Sequence, residues 1–161
     1  MEKVIFLDRD GVINHPHEHY YIHRIEDFDI NVGLVEGLQT LRDRGYKFVI
    51  ITNQGGISKG EYTIDDVDKL HEHLESVFRS HGIAFLAIYF CPHHHTIENC
   101  LCRKPKPLMV EKAIAQFNID PKRSYLIGDK QSDIDAGKGA GVKSILINKN
   151  QDIRGVLHKI N

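Results

Sequence analysis

The chain has 161 residues, and its 21 basic and 22 acidic side chains give a formal net charge of −1. This length is most simply one domain with a substantial core, and the balanced charge argues against a dedicated nucleic-acid surface. No stretch approaches the length of a membrane span, and Met1-Glu2-Lys3 leads into a strand without a signal-peptide pattern. We therefore expect one domain over residues 1–161, a cytoplasmic monomer that binds neither nucleic acid nor a membrane.

Two carboxylates follow the first predicted strand. Val4–Leu7 is a short apolar run, which predicts a buried strand, and Asp8, Asp10 and Gly11 stand at its end. Carboxylates this close repel each other and raise each other's pKa. This repulsion is relieved if a cation binds between them, or if one carboxyl is charged while the other is protonated. An ordinary Asp-Gly turn is the alternative interpretation.

Predicted strands and helices alternate along the rest of the chain. Apolar residues at helical spacing predict helices that begin near Leu34, Thr63, Pro107 and Ser132. Further strands are predicted at 47–51, 84–90, 124–127 and 143–147. This alternation predicts an α/β fold with a Rossmann-like parallel sheet and helices on both faces. The residues after about Asn148 are expected to form either a loose tail or a short closing helix around Val156 and Leu157.

Polar residues follow the ends of these strands. Ligands of such sheets bind beyond the carboxyl ends of the strands, so these residues should converge on one edge. They are Asp8, Asp10, Thr52, Asn53, Asp129 and Lys130. Oxygen donors in small number suit Mg²⁺, which keeps several waters and binds jointly with a phosphate. A hydroxyl, backbone N–H groups and the charge of Lys104 would complete a phosphate cradle, in which one carboxylate attacks phosphorus and another transfers protons.

Four motifs in this order resemble the haloacid dehalogenase superfamily of phosphatases. They are Asp8-x-Asp10-Gly11, Thr52-Asn53-Gln54, Lys104 and Gly128-Asp129-x-x-x-Asp133. The resemblance implies Asp8 as nucleophile, Asp10 as general acid and base, and both as Mg²⁺ ligands with Asp129. It also implies that Thr52 and Lys104 contact the phosphoryl group. Asp133 is expected to position Lys130 or a metal-bound water.

The spacing of these motifs leaves no room for a separate cap domain. Only core elements fit between Asp10 and Thr52, and between Thr52 and Lys104. We therefore expect an open site in a capless domain, with loops that select the substrate. The residues expected to bind substrate are Asn53, Gln54, Arg103 and Lys130.

All three cysteines lie in one short window beside a run of histidines. The spacing predicts a structural zinc site whose four ligands are Cys91, His93, Cys100 and Cys102. His95 is the alternative histidine ligand. Idle thiols are another interpretation, as is a disulfide, which the odd number of cysteines disfavours. With four ligands there is no open position for chemistry, so the zinc would shape the loop that carries Arg103 and Lys104.

The segment with the cysteines and histidines narrows the resemblance to particular groups within this superfamily. Cys91-Pro-His-His, Cys100-x-Cys102-Arg-Lys-Pro105 and Thr52-Asn-Gln-x-Gly-Ile57 look like the D-glycero-D-manno-heptose 1,7-bisphosphate 7-phosphatases. They also look like the related histidinol-phosphate phosphatases. The resemblance implies a small phosphorylated metabolite as substrate, with Mg²⁺ for catalysis and Zn²⁺ for structure. A polynucleotide 3′-phosphatase would need a basic groove that the near-neutral chain does not indicate, and a non-catalytic domain would not have kept every catalytic position.

The remaining histidines are expected to be less informative. His15, His17 and His19 alternate in the loop after the first strand, and a solvated loop is favoured over a set of ligands. His71 and His73 lie in an amphipathic helix and are expected at the surface.

Overall fold

The structure is a computed structural model that describes residues 1–161. Its centre is a sheet of five strands: β1 (Val4–Leu7), β2 (Lys47–Asn53), β3 (Phe85–Cys91), β4 (Tyr125–Gly128) and β5 (Lys143–Leu146). The spatial order is β3-β2-β1-β4-β5, and every neighbouring pair is parallel. This order is that of a doubly wound sheet, so the predicted α/β Rossmann-like fold is confirmed.

Four α-helices connect the strands: α1 (Leu34–Asp43), α2 (Ile64–Ser80), α3 (Leu108–Phe117) and α4 (Gln131–Gly139). The start of α2 is a capping box, in which Thr63 Oγ1 accepts from the N–H of Asp66 and Asp66 accepts from the N–H of Thr63. Short 3₁₀ helices span Ile25–Asp27, Pro121–Arg123 and Ile153–Lys159. The last of these buries Ile153, Val156 and Leu157, so the closing-helix interpretation of the C-terminal segment is confirmed.

Hydrophobic clusters pack on both faces of the sheet. Successive residues of a strand point to opposite faces, and β1 is buried on both, with Ile5 and Leu7 in one cluster and Val4 and Phe6 in the other. Helix α1 and the last 3₁₀ helix cover the first face, while α3 covers the second. Two packed faces hold the strands rigidly, so the loops at their carboxyl ends start from fixed positions.

The carboxyl ends of β1 and β4 lie side by side and bring two loops together. The backbone N–H of Asp8 donates to the carbonyl of Ile127 at 3.2 Å. At the end of β4, a Cβ on Gly128 would lie 2.2 Å from the Cβ of Asp133, so glycine is what allows Asp133 to pack against this strand end. None of the helices combines the length and the apolar character that a membrane crossing requires.

Candidate active site

The innermost part of the site is an ion pair between a loop lysine and two carboxylates. Lys104 Nζ lies 2.8 Å from Asp8 Oδ1 and 2.7 Å from Asp133 Oδ1, and it also donates to the carbonyl of Ile51. The lysine is only 4% exposed. Burial opposes its charge, but the carboxylates of Asp8 and Asp133 outweigh burial and raise the pKa of Lys104. The ammonium is therefore permanently charged beside Asp8.

Three carboxylates face one another at this edge of the sheet. Oxygen atoms of Asp8, Asp129 and Asp133 all lie within 4.8 Å of one another. Burial raises the pKa of Asp8 to about 7, against the pull of Lys104, and the neighbouring carboxylates of Asp133 and Asp129 add to the rise. Burial and Asp133 also raise the pKa of Asp129. Asp129 Oδ1 is buried and has no hydrogen-bond partner. Hard oxygen donors, uncompensated negative charge and an orphaned carboxylate oxygen fit a divalent cation such as Mg²⁺.

The side chain of Asp10 lies outside this carboxylate group, so its role as a metal ligand stays a prediction from the sequence. Its side chain is held elsewhere, because Oδ1 accepts from Arg9 and from Asn14 Nδ2 at 2.9 Å, and Oδ2 accepts from Gln54 Nε2 at 3.2 Å. Burial alone would raise the pKa of Asp10, but the charge of Arg9 and these hydrogen bonds lower it. The carboxylate that joins Asp8 and Asp129 is that of Asp133.

Asp133 has more contacts than the sequence suggested. Besides its ion pair with Lys104, Asp133 Oδ2 accepts from the backbone N–H of Lys130 at 3.1 Å, which closes the first turn of α4. It therefore holds both the backbone at Lys130 and the side chain of Lys104. The expected contact with Lys130 is made through that residue's backbone.

Gln54 is also placed differently from its predicted role as a substrate contact. The side chain is 1% exposed, and its amide joins Thr52 Oγ1 at 2.9 Å to Asp10 Oδ2. The hydroxyl of Tyr62 donates to Gln54 Oε1 at 2.6 Å. A Cβ on Gly56 would lie 2.3 Å from the ring of Tyr62, so the glycine makes room for this tyrosine. Gln54 is thus a link between protein groups.

Asn53 fixes the loop that delivers the lysine. Its side chain accepts from the backbone N–H of Lys104 at 3.0 Å and donates to the carbonyl of Lys104 at 3.1 Å. These paired bonds tie the end of β2 to a residue 51 positions along the chain. Asn53 also lines the cleft described next, as its predicted role requires.

Two connected cavities open at this edge. A small pit of about 40 Å³ is lined by residues that include Asp8, Asp10, Thr52 and Lys104. It adjoins a cleft of about 230 Å³, because Asp10, Asn53, Lys130 and Ser132 line both. Besides the shared Lys130, the cleft adds two cations, Arg103 and Lys149, and the aromatic side chains of Tyr20 and Tyr21. The pit and the cleft together offer one anion site beside Asp8 and a second positive region farther out.

Some residues of the cleft were missed or misjudged by the sequence patterns. His19 lines the cleft, although the loop was expected to be merely solvated, whereas His17 is exposed and contacts Asp29 at 2.9 Å. Lys149 was not predicted, although it follows the last strand of the sheet, where strand-end reasoning would have found it. Outside the cleft, His71 was expected at the surface but is buried against Arg9, with its Nε2 3.1 Å from Arg9 Nη1.

The predicted zinc ligands form one cluster. Ligand atoms of Cys91, His93, Cys100 and Cys102 all lie within 4.8 Å of one another. All three cysteines are free thiols, so there is no disulfide. Of the two candidate histidines, His93 is the one that lies in this cluster, with its Nδ1 3.3 Å from the sulfur of Cys102. Three sulfurs and one imidazole nitrogen are the donor set of a structural zinc site.

The same cluster holds Arg103 in place. The backbone N–H of Arg103 donates to Cys100 Sγ at 3.4 Å, and its Nη1 donates to the carbonyl of His93 at 3.0 Å. The guanidinium is thereby fixed at the wall of the cleft, next to the residue that enters the pit. The loop around the cysteines thus delivers two cations, Arg103 to the cleft and Lys104 to the pit.

Several known proteins are similar to this chain in sequence and in fold. Residues 101–159 match the HAD-hydrolase-like family. The chain is 42% identical over 154 residues to the D-glycero-beta-D-manno-heptose-1,7-bisphosphate 7-phosphatase of Pasteurella multocida, which covers 92% of this chain and 83% of the relative. It is 44% identical over 146 residues to the D-glycero-alpha-D-manno-heptose-1,7-bisphosphate 7-phosphatase of Photorhabdus laumondii, which covers 87% of this chain and 79% of the relative.

A solved structure agrees with the sequence relatives. The crystal structure of a D,D-heptose 1,7-bisphosphate phosphatase from B. bronchiseptica, complexed with magnesium and phosphate, superimposes with a TM-score of 0.84 at 26% identity. The similarity covers 98% of this chain and 86% of that chain. The chain described here therefore belongs to the haloacid dehalogenase-like phosphatases, in the group of the D-glycero-D-manno-heptose 1,7-bisphosphate 7-phosphatases.

Proposed function

We propose that this phosphatase removes the 7-phosphate of D-glycero-D-manno-heptose 1,7-bisphosphate and leaves the 1-phosphate. The observation that carries the proposal is the pairing of a reaction pit, where Lys104 lies beside Asp8, with a cleft that adds Arg103 and Lys149. A substrate with two phosphates would place one in the pit and the other near the outer cations. The names of the relatives support the same substrate.

The pit supports a reaction in two steps on the protein's own carboxylates. In the first, an oxygen of Asp8 attacks phosphorus and forms an aspartyl phosphate, while the bond from phosphorus to the sugar oxygen breaks. Because the pKa of Asp10 is lowered in the free protein, Asp10 would take up a proton when the negatively charged phosphate binds beside it, and it would pass that proton to the leaving oxygen. In the second, Asp10 takes a proton from a water that attacks the same phosphorus, and the phosphate leaves with Asp8 restored. Lys104 and the hydroxyl of Thr52 line the pit where the phosphoryl oxygens would lie.

A magnesium ion fits this site, and its ligands would come from Asp8 and Asp129. Asp129 Oδ1, the buried oxygen without a partner, is the group that most requires a cation. When bound, Mg²⁺ would supply positive charge that offsets the phosphoryl oxygens and favours the anionic form of Asp8. Asp133 lies beside the same group and stays paired with Lys104.

The second proposed metal is structural. Zinc held by Cys91, His93, Cys100 and Cys102 would have no open position, so it would take no part in the reaction. Its effect would be to fix the backbone that carries Arg103 and Lys104. We further infer that residues 1–161 act as one domain without a cap, so that the cleft stays open and its loops select the substrate.

The test is a substrate panel assayed with Mg²⁺. It compares kcat/KM for both anomers of the heptose bisphosphate with fructose 1,6-bisphosphate and histidinol phosphate. Phosphorus NMR of the product identifies which phosphate is removed. We expect the highest kcat/KM on a heptose bisphosphate, with the phosphate at carbon 7 released. A preference for histidinol phosphate, or release of the phosphate at carbon 1, would contradict the proposal.

A further inference from the structure

Arg9 is a cation that the fold buries completely, at 0% exposure. A guanidinium stays charged in proteins, and burying a charge is costly unless polar partners surround it. Three partners surround this one: the carboxylate of Asp10, the carbonyl of Ile22 and the ring of His71. Because this buried charge lies between Asp8 and Asp10 in the chain, we asked whether it also serves the reaction site.

The contact with Asp10 is a fork. Arg9 Nη2 lies 3.1 Å from both carboxylate oxygens of Asp10, and Nε lies 3.3 Å from Oδ1. Paired contacts of this kind fix the plane of a carboxylate as well as its position. Asp8 is paired instead with Lys104. Each of the two carboxylates therefore has its own cation, and Arg9 is the one that orients Asp10.

His71 holds the other end of the guanidinium. Arg9 Nη1 lies 3.1 Å from His71 Nε2. Because a guanidinium carries only donors, Nε2 must accept, and the ring proton must sit on Nδ1. Burial and the charge of Arg9 lower the pKa of His71 to about 3, which agrees with a neutral ring. The ring lies on α2 against Phe90, with 6.0 Å between the ring centroids, and is fixed by the packing of that helix.

We propose that His71 is a positioning residue for the phosphatase reaction, because it accepts a hydrogen bond from Arg9 and so fixes the guanidinium that orients Asp10. The inference rests on the proposed function, in which Asp10 transfers the protons. Without an acceptor at position 71, one donor of a buried charge would be unpaired, and such groups move to find a partner. Movement of Arg9 would remove the charged partner of Asp10 and leave that carboxylate held only by Asn14 and Gln54, whereas Asp8 would keep its own partner, Lys104.

The test compares two changes at position 71 with a control on the same helix. His71→Leu removes the acceptor, whereas His71→Gln offers an amide oxygen in its place. His73→Leu is the control, because His73 is half-buried on α2 and contacts Phe28, away from Asp10. On a sugar phosphate, we expect His71→Leu to lower kcat at least about tenfold with little change in KM. His71→Gln and His73→Leu should stay close to wild type.

A second substrate separates proton transfer from general damage. The leaving group of p-nitrophenyl phosphate needs no proton, so the first step should survive in His71→Leu as a rapid burst of p-nitrophenol. The second step needs Asp10 to activate water, so steady turnover should then be slow. Loss of the burst together with turnover would indicate damage to the whole site and overturn the proposal. Wild-type kinetics in folded His71→Leu, or an equal loss in His71→Gln, would overturn it as well.

Nitrogen NMR of the wild-type enzyme tests the contact even if His71→Leu fails to fold. The spectrum of ¹⁵N-histidine protein, assigned with His71→Gln, should show a neutral ring with the proton on Nδ1. A proton on Nε2, or a ring that titrates near the ordinary pKa of about 6.5, would overturn the proposal. Failure of the proposed function is distinguishable, since the substrate panel would then show another preferred substrate, another released phosphate or no turnover, while the His71 spectrum stayed as expected.

Discussion

The ammonium of Lys104 lies 2.8 Å from the carboxylate of Asp8, although 96 residues separate them in the chain. The same ammonium contacts Asp133 at 2.7 Å, and Asn53 holds the lysine backbone through two hydrogen bonds. Lys104 is therefore the cation between two buried carboxylates. It serves the stability of the folded protein before any substrate arrives, and the proposed reaction uses it again beside the phosphoryl group.

Replacing Lys104 by methionine should cost both stability and activity. Removing one partner of a buried pair leaves uncompensated charge and typically costs about 3–5 kcal/mol. We expect a loss of that order in the free energy of unfolding near neutral pH, measured by urea denaturation, and no detectable turnover. Lys112→Met is the control, because Lys112 is exposed on α3. A folding stability equal to that of the control would show that the ion pair contributes little.

The change Asp8→Asn should abolish turnover and leave the fold intact. An amide cannot form the acyl phosphate, while its size is nearly that of the carboxylate. Removing one charge from the group that includes Asp129 and Asp133 relieves repulsion, so the melting temperature should stay constant or rise. Phosphate release and thermal melting measure the two effects. Activity within about tenfold of wild type, about 1.4 kcal/mol of barrier, would exclude Asp8 as the nucleophile.

The sequence predicts the residues at strand ends and the cluster of cysteines with a histidine well, because both follow from local patterns. Alternating strands and helices predict a parallel sheet, and the ends of parallel strands share an edge, which brought Asp8, Thr52 and Asp129 together. The spacing predicts the three cysteines of the cluster, but the choice of His93 over His95 needed the structure. Such patterns do not show which partner a carboxylate will choose. The position of Asp10 depends on Arg9 and Asn14, and that of Asp133 on a lysine in another loop.

His71 shows a signal that was present in the sequence and misread. It stands four residues after Val67 and three before Leu74, which is the spacing of the buried face of α2. Its polar character suggested the surface. The face is nevertheless buried there, because Arg9 gives the ring a partner. A polar residue in phase with a buried stripe is therefore a candidate for a buried hydrogen bond.

Stabilisation by Mg²⁺ should increase with pH. Burial and the neighbouring carboxylates raise the pKa of Asp8 from 3.8 to about 7, so the folded, metal-free protein holds a proton that the unfolded chain releases. This contribution to stability is present at low pH and is lost as the pH rises towards about 7. A cation requires the ionised carboxylate and competes with that proton. The rise in melting temperature caused by Mg²⁺ should therefore be larger at about pH 8 than at about pH 5.

Two comparisons check this pH dependence. Asp129→Asn removes the carboxylate that carries the unpartnered oxygen, so it should abolish the effect of Mg²⁺ on melting at both pH values. Asp135→Asn is the control, because Asp135 is exposed on α4. An equal shift in melting temperature at both pH values, or a full shift in Asp129→Asn, would place the cation elsewhere.

Zinc should be structural and separate from the catalytic Mg²⁺. Soft sulfur ligands favour zinc and hard carboxylates favour magnesium. Elemental analysis should find about one zinc per chain, as four ligands imply. Brief EDTA treatment followed by Mg²⁺ alone should restore turnover while the zinc remains. His93→Ala should lose the metal, whereas His95→Ala, which changes an exposed neighbour, should keep it. Zinc-free native protein with three reactive thiols would contradict the assignment.

Arg103 should select the substrate by contacting the phosphate that does not react. Its guanidinium is anchored to the carbonyl of His93 and faces the cleft, whereas Lys104 enters the pit. Arg103→Ala should lose a charge-assisted contact of about 1.5–3 kcal/mol on a sugar bisphosphate. Most of the loss should appear in KM, because such a contact binds the ground state and the transition state alike. Arg79→Ala, at the exposed end of α2, is the control.

A small monophosphate shows which phosphate Arg103 serves. A substrate too short to reach the cleft should be hydrolysed slowly by wild-type enzyme and by Arg103→Ala, with little difference between them. Lys149→Ala, which changes another cation of the cleft, should weaken only the bisphosphate reaction in the same way. An equal loss on the bisphosphate and on the short substrate would place Arg103 on the reacting phosphoryl group. Recognition of the second phosphate would then depend on Lys130 and Lys149, the two other cations of the cleft.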